Sequence, residues 1–150
     1  MSIEENISAV KNALGGMATL VAVSKTKSAE DILQAYRAGQ RIFGENKVQE
    51  MCAKYEVLPK DIEWHMIGHL QSNKVKYIAP FVSMIQSVDS FSLLRKIDAA
   101  AQKAGRTIDC LLEVKIAAED TKYGLTPVEA EEIISSGVAE GMQGVRLCGL

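Results

Sequence analysis

The sequence has little that would direct it to nucleic acid, a membrane or an oxidising compartment. Its 17 basic and 19 acidic side chains give a net charge of −2, so no basic excess is available to neutralise phosphates. No apolar run approaches the roughly 18 residues that a membrane span needs. The three cysteines are far apart and include no CxxC pair, which is typical of reduced thiols. Because the N-terminus also has acids where a signal peptide has basic residues, we expect a cytoplasmic protein.

Several motifs of catalysis and phosphate binding are also missing. The first predicted strand-to-helix turn, residues 24–27, contains no glycine, so the dinucleotide-binding fingerprint is absent there. No GxxxxGK[ST] segment and no nucleophile elbow occur, which argues against a P-loop and against acyl transfer. His65 and His69 are four residues apart, but no HExxH motif or third ligand accompanies them. The sequence therefore predicts no metal site.

What the sequence does contain is a regular alternation of strand-like and helix-like segments, with 47% apolar residues to form a core. The apolar spacing predicts strands over 19–23, 41–43, 62–67, 83–88, 109–116 and 144–150. It predicts helices over 2–14, 28–39, 47–55, 73–78 and 90–104, and a last helix from 126. This alternation indicates a parallel β/α protein, with residues 1–150 in a single domain. Spacing alone leaves open whether the sheet is doubly wound or a (β/α)₈ barrel.

Polar side chains stand at strand positions that are usually apolar. Strand alternation places Glu63 and His65 on one face, Glu113 and Lys115 on one face, and Lys25 at the tip of the first strand. If all five side chains point inward, they converge on one polar centre. Because buried charges need partners, such a centre either serves a ligand or forms a structural network of ion pairs.

Lys25 is the residue in this set with the clearest chemical use. An amine beside an apolar strand is poorly hydrated, which favours its neutral form and makes it able to form a Schiff base. The alternative is a lysine that simply projects into solvent from the strand tip.

Four segments occur in a fixed order along the chain. They are residues 20–27 (LVAVSKTK), 43–50 (FGEN with QE), 63–74 (EWHMIG with LQSNK) and 119–124 (EDTKYG). Together they resemble the pyridoxal 5′-phosphate homeostasis proteins, the stand-alone relatives of the alanine racemase N-terminal domain. The resemblance extends from about residue 18 to the end of the chain.

This resemblance implies a fold-type III barrel, a (β/α)₈ architecture of the TIM-barrel type, with pyridoxal 5′-phosphate (PLP) as its cofactor. It implies that Lys25 is the Schiff-base lysine. Asn46, Ile67 and Gly68 resemble positions of the cofactor pocket. Lys122 matches a family lysine in a loop after the fifth strand, which implies an accessory role in handling PLP.

The sequence departs from the family pattern in two places. Lys115 stands where many members have asparagine, which brings a second lysine toward Lys25, and Glu113 can offset its charge. The chain also ends inside its sixth strand, after about five and a half β/α units, whereas a closed barrel needs at least about 200 residues. We therefore expect an incomplete barrel that lacks the family's phosphate-binding segments. Its unpaired edge strand predicts self-association or complementation by the missing strands.

The resulting prediction of function is a PLP-binding protein of vitamin B6 homeostasis, with apo PLP-enzymes as possible recipients. It carries PLP on Lys25 and has no turnover of its own. One alternative is a racemase-like enzyme, which would need a second proton-transfer group such as His65 or Lys115 opposite Lys25. Another is a piece of a barrel that binds no ligand.

Overall fold

The computed structural model describes residues 1–118 and 123–150. Lys122 lies outside the described residues. The described helices are α1 (Ile3–Leu14), α2 (Ala29–Arg37), α3 (Val48–Val57), α4 (Val75–Ile78), α5 (Phe91–Lys103) and α6 (Pro127–Ser135). Short 3₁₀ helices span Ser72–Lys74 and Val138–Gly141.

The strands form one parallel sheet in the order in which they occur along the chain. They are β1 (Ala22–Val23), β2 (Ile42–Glu45), β3 (Glu63–Met66), β4 (Met84–Val88), β5 (Ile108–Leu112) and β6 (Val145–Gly149). A doubly wound sheet reverses its strand order at a switch point, whereas a barrel adds each strand beside the previous one. The sequential order β1–β6 is therefore that of an incomplete barrel, which confirms the predicted fold class.

The predicted starts of the first and last helices are confirmed in atomic detail. The Ser2 side chain accepts a hydrogen bond from the Glu5 amide, and the Glu5 carboxylate accepts one from the Ser2 amide. Thr126 and Glu129 make the same reciprocal pair at α6. Each pair satisfies two amides that have no partner within their helix.

The two faces of the sheet differ in character. Alternate residues such as Phe43, Trp64 and Ile85 point toward the helices and are at most 1% exposed. Burying an aliphatic side chain of the size of Ile85 contributes about 1.5–3 kcal/mol. The residues between them face the inner side of the arc, where Val23 is still 54% exposed. The core of the described chain therefore lies between the sheet and the helices.

β1 and β5 fall furthest short of the predicted strands, by three residues each, and side-chain or local bonds explain both. The carbonyl of Leu20 accepts a hydrogen bond from the Gln40 side chain, so regular pairing of β1 begins at Ala22. β5 was expected to continue to Ile116, but it ends at Leu112. Beyond Leu112, an isolated parallel bridge joins Val114 to Leu125.

No helix in the described part of the chain is both long enough and apolar enough to cross a bilayer. Among residues 1–118 and 123–150, no group of three or more His, Cys, Asp or Glu side chains is placed to hold a metal ion.

The approach of α5 to the start of β6 predicts that Gly144→Ala destabilises the fold. A Cβ at this position would lie 2.3 Å from the carbonyl oxygen of Asp98 and 3.1 Å from Cβ of Ala101. Overpacking of this kind costs about 1–3 kcal/mol, which urea unfolding measures. Gly141→Ala is the matched control because its added Cβ meets no atom within 4 Å. Equal stability of the two variants would contradict the close packing.

Candidate functional site

Lys25 lies in a tight turn directly after β1, at the carboxyl edge of the sheet. The amide of Lys27 donates to the carbonyl of Ser24 at 3.1 Å, which closes the turn. Thr26 has a φ of +64°, in the left-handed region that non-glycine residues rarely adopt. Ser24 is buried and Lys25 is exposed. The Lys25 side chain therefore extends into solvent, directly after the buried Ser24.

Helix α3 holds this turn through a carboxylate. The backbone amide of Thr26 donates to both oxygens of Glu50, at 2.8 and 3.2 Å. This bond lowers the pKa of Glu50, and the nearby Lys54 ammonium acts in the same direction, so the carboxylate is ionised at neutral pH. Glu50 thus anchors the backbone next to Lys25 with a charge-assisted bond.

One helical turn further on, Lys54 makes a buried ion pair. Its ammonium pairs with Glu45 at the end of β2 and donates to the carbonyl of Ser24 at 2.6 Å. The Lys54 side chain is 8% exposed and that of Glu45 is fully buried. Burial raises the pKa of Glu45, and the ammonium beside it opposes that rise. The pair joins β1, β2 and α3 at one point behind Lys25.

The next two strand ends meet closely beside this turn. A Cβ on Gly68 would lie 2.6 Å from the carbonyl oxygen of Asn46, so the backbones after β2 and β3 touch. The side chain of Ile67 packs over Gly44, whose missing Cβ would lie 3.0 Å from it. The parallel register carries Val23 to Gly44 on the neighbouring strand. Lys25, Asn46 and Ile67 therefore each follow the end of one of three adjacent strands, β1, β2 and β3.

Polar side chains deeper on the inner face satisfy one another. The Gln86 amide nitrogen lies 2.9 Å from Nδ1 of His65. Since an amide nitrogen donates, Nδ1 accepts and the His65 proton is on Nε2. Burial lowers the pKa of His65, which agrees with a neutral ring, while Glu63 and Asp109 oppose that shift. Arg146 binds both carboxylate oxygens of Asp109 at 2.8 Å.

A second polar group lies at the carboxyl ends of β3, β4 and β5. Nδ1 of His69 is 3.0 Å from a carboxylate oxygen of Asp89, and its ring stacks on Tyr123 with centroids 3.7 Å apart. Burial and the Asp89 charge raise the pKa of Glu113, and His69 opposes the rise. One Glu113 oxygen is buried without a hydrogen bond among the described residues.

The polar side chains expected to converge are therefore divided between two groups. The charges of Glu63 and Asp109 act on the pKa of His65, whereas those of Asp89 and His69 act on the pKa of Glu113. Lys115 is half-buried, and its backbone packs against Gly124. Within the described residues, no hydrogen bond or ion pair involves the amines of Lys25 and Lys115. Glu113 directly follows the end of β5, and its backbone amide still donates to the carbonyl of Val88.

Comparison with known proteins decides the family. A family model described as the alanine racemase N-terminal domain matches residues 1–150. The chain belongs to this family. The resemblance that the four sequence segments indicated is thereby confirmed.

The members of the family with curated descriptions that are similar to this chain include pyridoxal phosphate homeostasis proteins. The one from Schizosaccharomyces pombe is 37% identical over 142 residues, which cover 93% of this chain and 59% of that protein. The one from Aquifex aeolicus is 43% identical over 117 residues, which cover 77% of this chain and 51% of that protein. The chain thus spans between half and three fifths of the length of these relatives.

Solved structures of family members match the fold over nearly the whole chain. PipY of Synechococcus elongatus with PLP bound has a TM-score of 0.88 and 37% identity, covering 99% of this chain and 69% of PipY. The same protein without PLP gives a TM-score of 0.90. Alanine racemase from Streptomyces lavendulae has a TM-score of 0.77 at 18% identity, covering 98% of this chain and 39% of the racemase. At that identity the likeness shows the fold alone.

Sequence reasoning missed the residues that hold the Lys25 turn. Glu50 and Lys54 are four apart on a helix, the spacing of an ion pair on one helix face, and this signal was available. Glu45 lies in a strand-end segment that was read as a family motif only. Nothing in the local pattern indicates that Lys54 is buried, because a lysine on a helix is usually solvated.

The buried pair predicts a pH-dependent cost of Lys54→Met. The variant leaves the Glu45 carboxylate buried without its cation, which costs about 3–5 kcal/mol near neutral pH. Burial raises the folded-state pKa of Glu45 above its ordinary value of 4.5, and loss of the ammonium raises it further. Protonation then relieves the variant as the pH falls toward that value. We therefore expect Lys54→Met to lower the free energy of unfolding less at about pH 5 than at about pH 7, as measured by urea unfolding.

The matched control for this experiment is the double variant Glu45→Gln/Lys54→Met. It contains neither charge, so its deficit relative to the natural chain should be smaller and should not shrink in the same way on acidification. A Lys54→Met deficit that is identical at both pH values would show that Glu45 is not the group left uncompensated.

Proposed function

We propose that this chain is a PLP-binding protein of vitamin B6 homeostasis that carries PLP as a Schiff base on Lys25, without turnover of its own. The observation that carries the proposal is an exposed lysine on a turn that α3 holds by hydrogen bonds, at the carboxyl edge of a parallel sheet where Asn46 and Ile67 follow the next two strands. The similarity to PipY, whose structure with PLP bound has this fold, supports the choice of ligand.

The proposed chemistry uses one reactive group of the chain. The neutral amine of Lys25 attacks the aldehyde carbon of PLP, the C=N bond forms, and the aldehyde oxygen leaves as water. PLP supplies an electrophilic aldehyde and an electron-withdrawing ring. Lys25 supplies the nucleophile, and its exposed position leaves the amine accessible.

The residues around Lys25 fit such a ligand. The exposed side of Val23 and the side chain of Ile67 provide apolar surface for an aromatic ring. Asn46 adds an amide that can donate or accept a hydrogen bond. Because Gly68 has no side chain, the backbones after β2 and β3 approach closely, which keeps the Asn46 side chain at the rim. The proposed pocket therefore consists of Lys25, Asn46, Ile67 and Gly68.

Two further lysines complete the proposed PLP-handling set. Lys115 follows β5 and is half-buried at the same edge of the sheet. Lys122 lies outside the described residues, and its accessory role rests on the family resemblance. We further propose that the single PLP-binding domain, residues 1–150, works in the cytoplasm, with apo PLP-enzymes as recipients. Completion of its open sheet by self-association or by further strands stays a prediction.

The proposal predicts a covalent adduct on one lysine. Adding PLP should give a visible absorption band, and borohydride reduction should fix the adduct on Lys25, which peptide mass spectrometry locates. Lys25→Ala should abolish the band and the adduct, because the nucleophile is gone. Lys27→Ala is the matched control, as this lysine lies two residues away and is equally exposed. The same adduct yield in Lys25→Ala would overturn the assignment.

Absence of turnover is tested with an α-deuterated amino acid. Retention of deuterium after incubation with the PLP-loaded chain is expected, since racemase-like chemistry needs a proton-transfer group on each side of the substrate carbon. Deuterium loss that disappears in Lys25→Ala would replace the carrier proposal with the racemase-like alternative.

A further inference from the structure

Helix α3 is hydrogen-bonded to the Lys25 turn on both sides of the lysine. The residue before it, Ser24, accepts a hydrogen bond from Lys54 through its carbonyl at 2.6 Å. The residue after it, Thr26, donates its amide to Glu50 at 2.8 Å. Glu50 and Lys54 are also 3.6 Å apart on successive turns of the helix. The backbone of Lys25 is therefore held between one cation and one anion of the same helix.

The hydrogen bonds from α3 hold a backbone conformation that is strained at Thr26. Thr26 is β-branched, and its φ of +64° lies in a region that such residues avoid. A strained backbone persists only where its surroundings impose it. The backbone bond from Lys27 to Ser24 closes the turn, and the two bonds from the Thr26 amide to the Glu50 carboxylate further oppose relaxation at this residue. Loss of the carboxylate therefore frees the turn to change its backbone angles.

Freeing the turn changes where the Lys25 amine lies. The amine makes no hydrogen bond or ion pair among the described residues, so the backbone of the turn sets the direction in which the Lys25 side chain leaves the sheet and the region that its amine can reach. Lys27 follows two residues later and is also exposed. Once Thr26 relaxes, the two amines differ less in their placement relative to Asn46 and Ile67.

We propose that Glu50, supported by Lys54, is a positioning residue that fixes the Lys25 turn and so directs PLP to Lys25 in preference to Lys27. The proposal rests on the proposed function, since it concerns attachment of PLP to Lys25. It assigns Glu50 a role in the selectivity of attachment, which is distinct from any contribution of Glu50 to overall stability.

The first arm of the test needs no PLP. Amide hydrogen exchange of the segment containing Thr26 is compared in the natural chain, Glu50→Ala, Glu50→Gln and Glu56→Ala. Glu56 is an exposed carboxylate on the same helix and is the matched control. Exchange should be faster by about tenfold in Glu50→Ala, because a bond to a charged group is lost, and should be unchanged in Glu56→Ala. Glu50→Gln keeps an acceptor without the charge, so it should lie between the two.

The second arm measures attachment of PLP to the same four proteins, with folding checked by circular dichroism. Borohydride-trapped peptides give the ratio of the Lys25 adduct to the Lys27 adduct. This ratio should fall about tenfold in Glu50→Ala, less in Glu50→Gln, and stay constant in Glu56→Ala. A purely structural role would lower both adducts together and leave the ratio unchanged.

A compensating variant makes the test sharper. Thr26→Gly removes the steric penalty at positive φ, so Glu50→Ala/Thr26→Gly should recover part of the Lys25 preference that Glu50→Ala loses. An unchanged ratio and unchanged exchange in Glu50→Ala would overturn the positioning role. If the natural chain forms no adduct, the proposed function is overturned. If amide exchange still depends on Glu50 in that case, the role of Glu50 in holding the turn stands.

Discussion

The arrangement of this edge of the sheet depends on one buried ion pair, that between Glu45 and Lys54. Taking two charges out of water costs several kcal/mol each, and their attraction compensates only with good geometry and further hydrogen bonds. Lys54 meets this requirement by also reaching the Ser24 carbonyl and lying near Glu50. The interaction therefore joins two strands and a helix, beside the bond from the Thr26 amide to Glu50. The position of the turn after β1 therefore depends on β1, β2 and α3 together.

The sequence allowed much of the architecture to be predicted, because alternating apolar runs and capping residues are local signals. The capping pairs at Ser2 and Thr126 stand at the predicted starts of the first and last helices. The barrel-type order of the strands was inferred from a family resemblance, since spacing could not decide it. The prediction failed where side chains replace backbone partners, as at Leu20, and where regular pairing gives way to an isolated parallel bridge, as after Leu112. For the site, the strand-end residues could be named in advance, but the buried cation behind Lys25 could not. Its burial is a consequence of packing that no local pattern encodes.

The inner face of the sheet shows how polar residues are tolerated in a parallel strand. Such strands are usually apolar on both faces, yet here His65 and Asp109 each have a partner, Gln86 and Arg146. These groups satisfy one another, so their polarity does not by itself require a ligand. The side chains at the carboxyl edge differ, because the Lys25 amine and one Glu113 oxygen have no hydrogen bond within the described residues. Both of these groups lie at the rim of the sheet.

The sequential order of the strands has a consequence for how the sheet assembles. Ala22 pairs with Phe43 and Ile42 pairs with Glu63, a separation of 21 residues in each case. Since every strand joins its predecessor in the chain, no pairing has to wait for a distant segment, and the loops closed at each step are short. The sheet can therefore form one strand at a time during synthesis on the ribosome. The first elements that can pack together are β1, β2 and α3. Lys25 lies among these elements, so its turn can be in place before the later strands are synthesised.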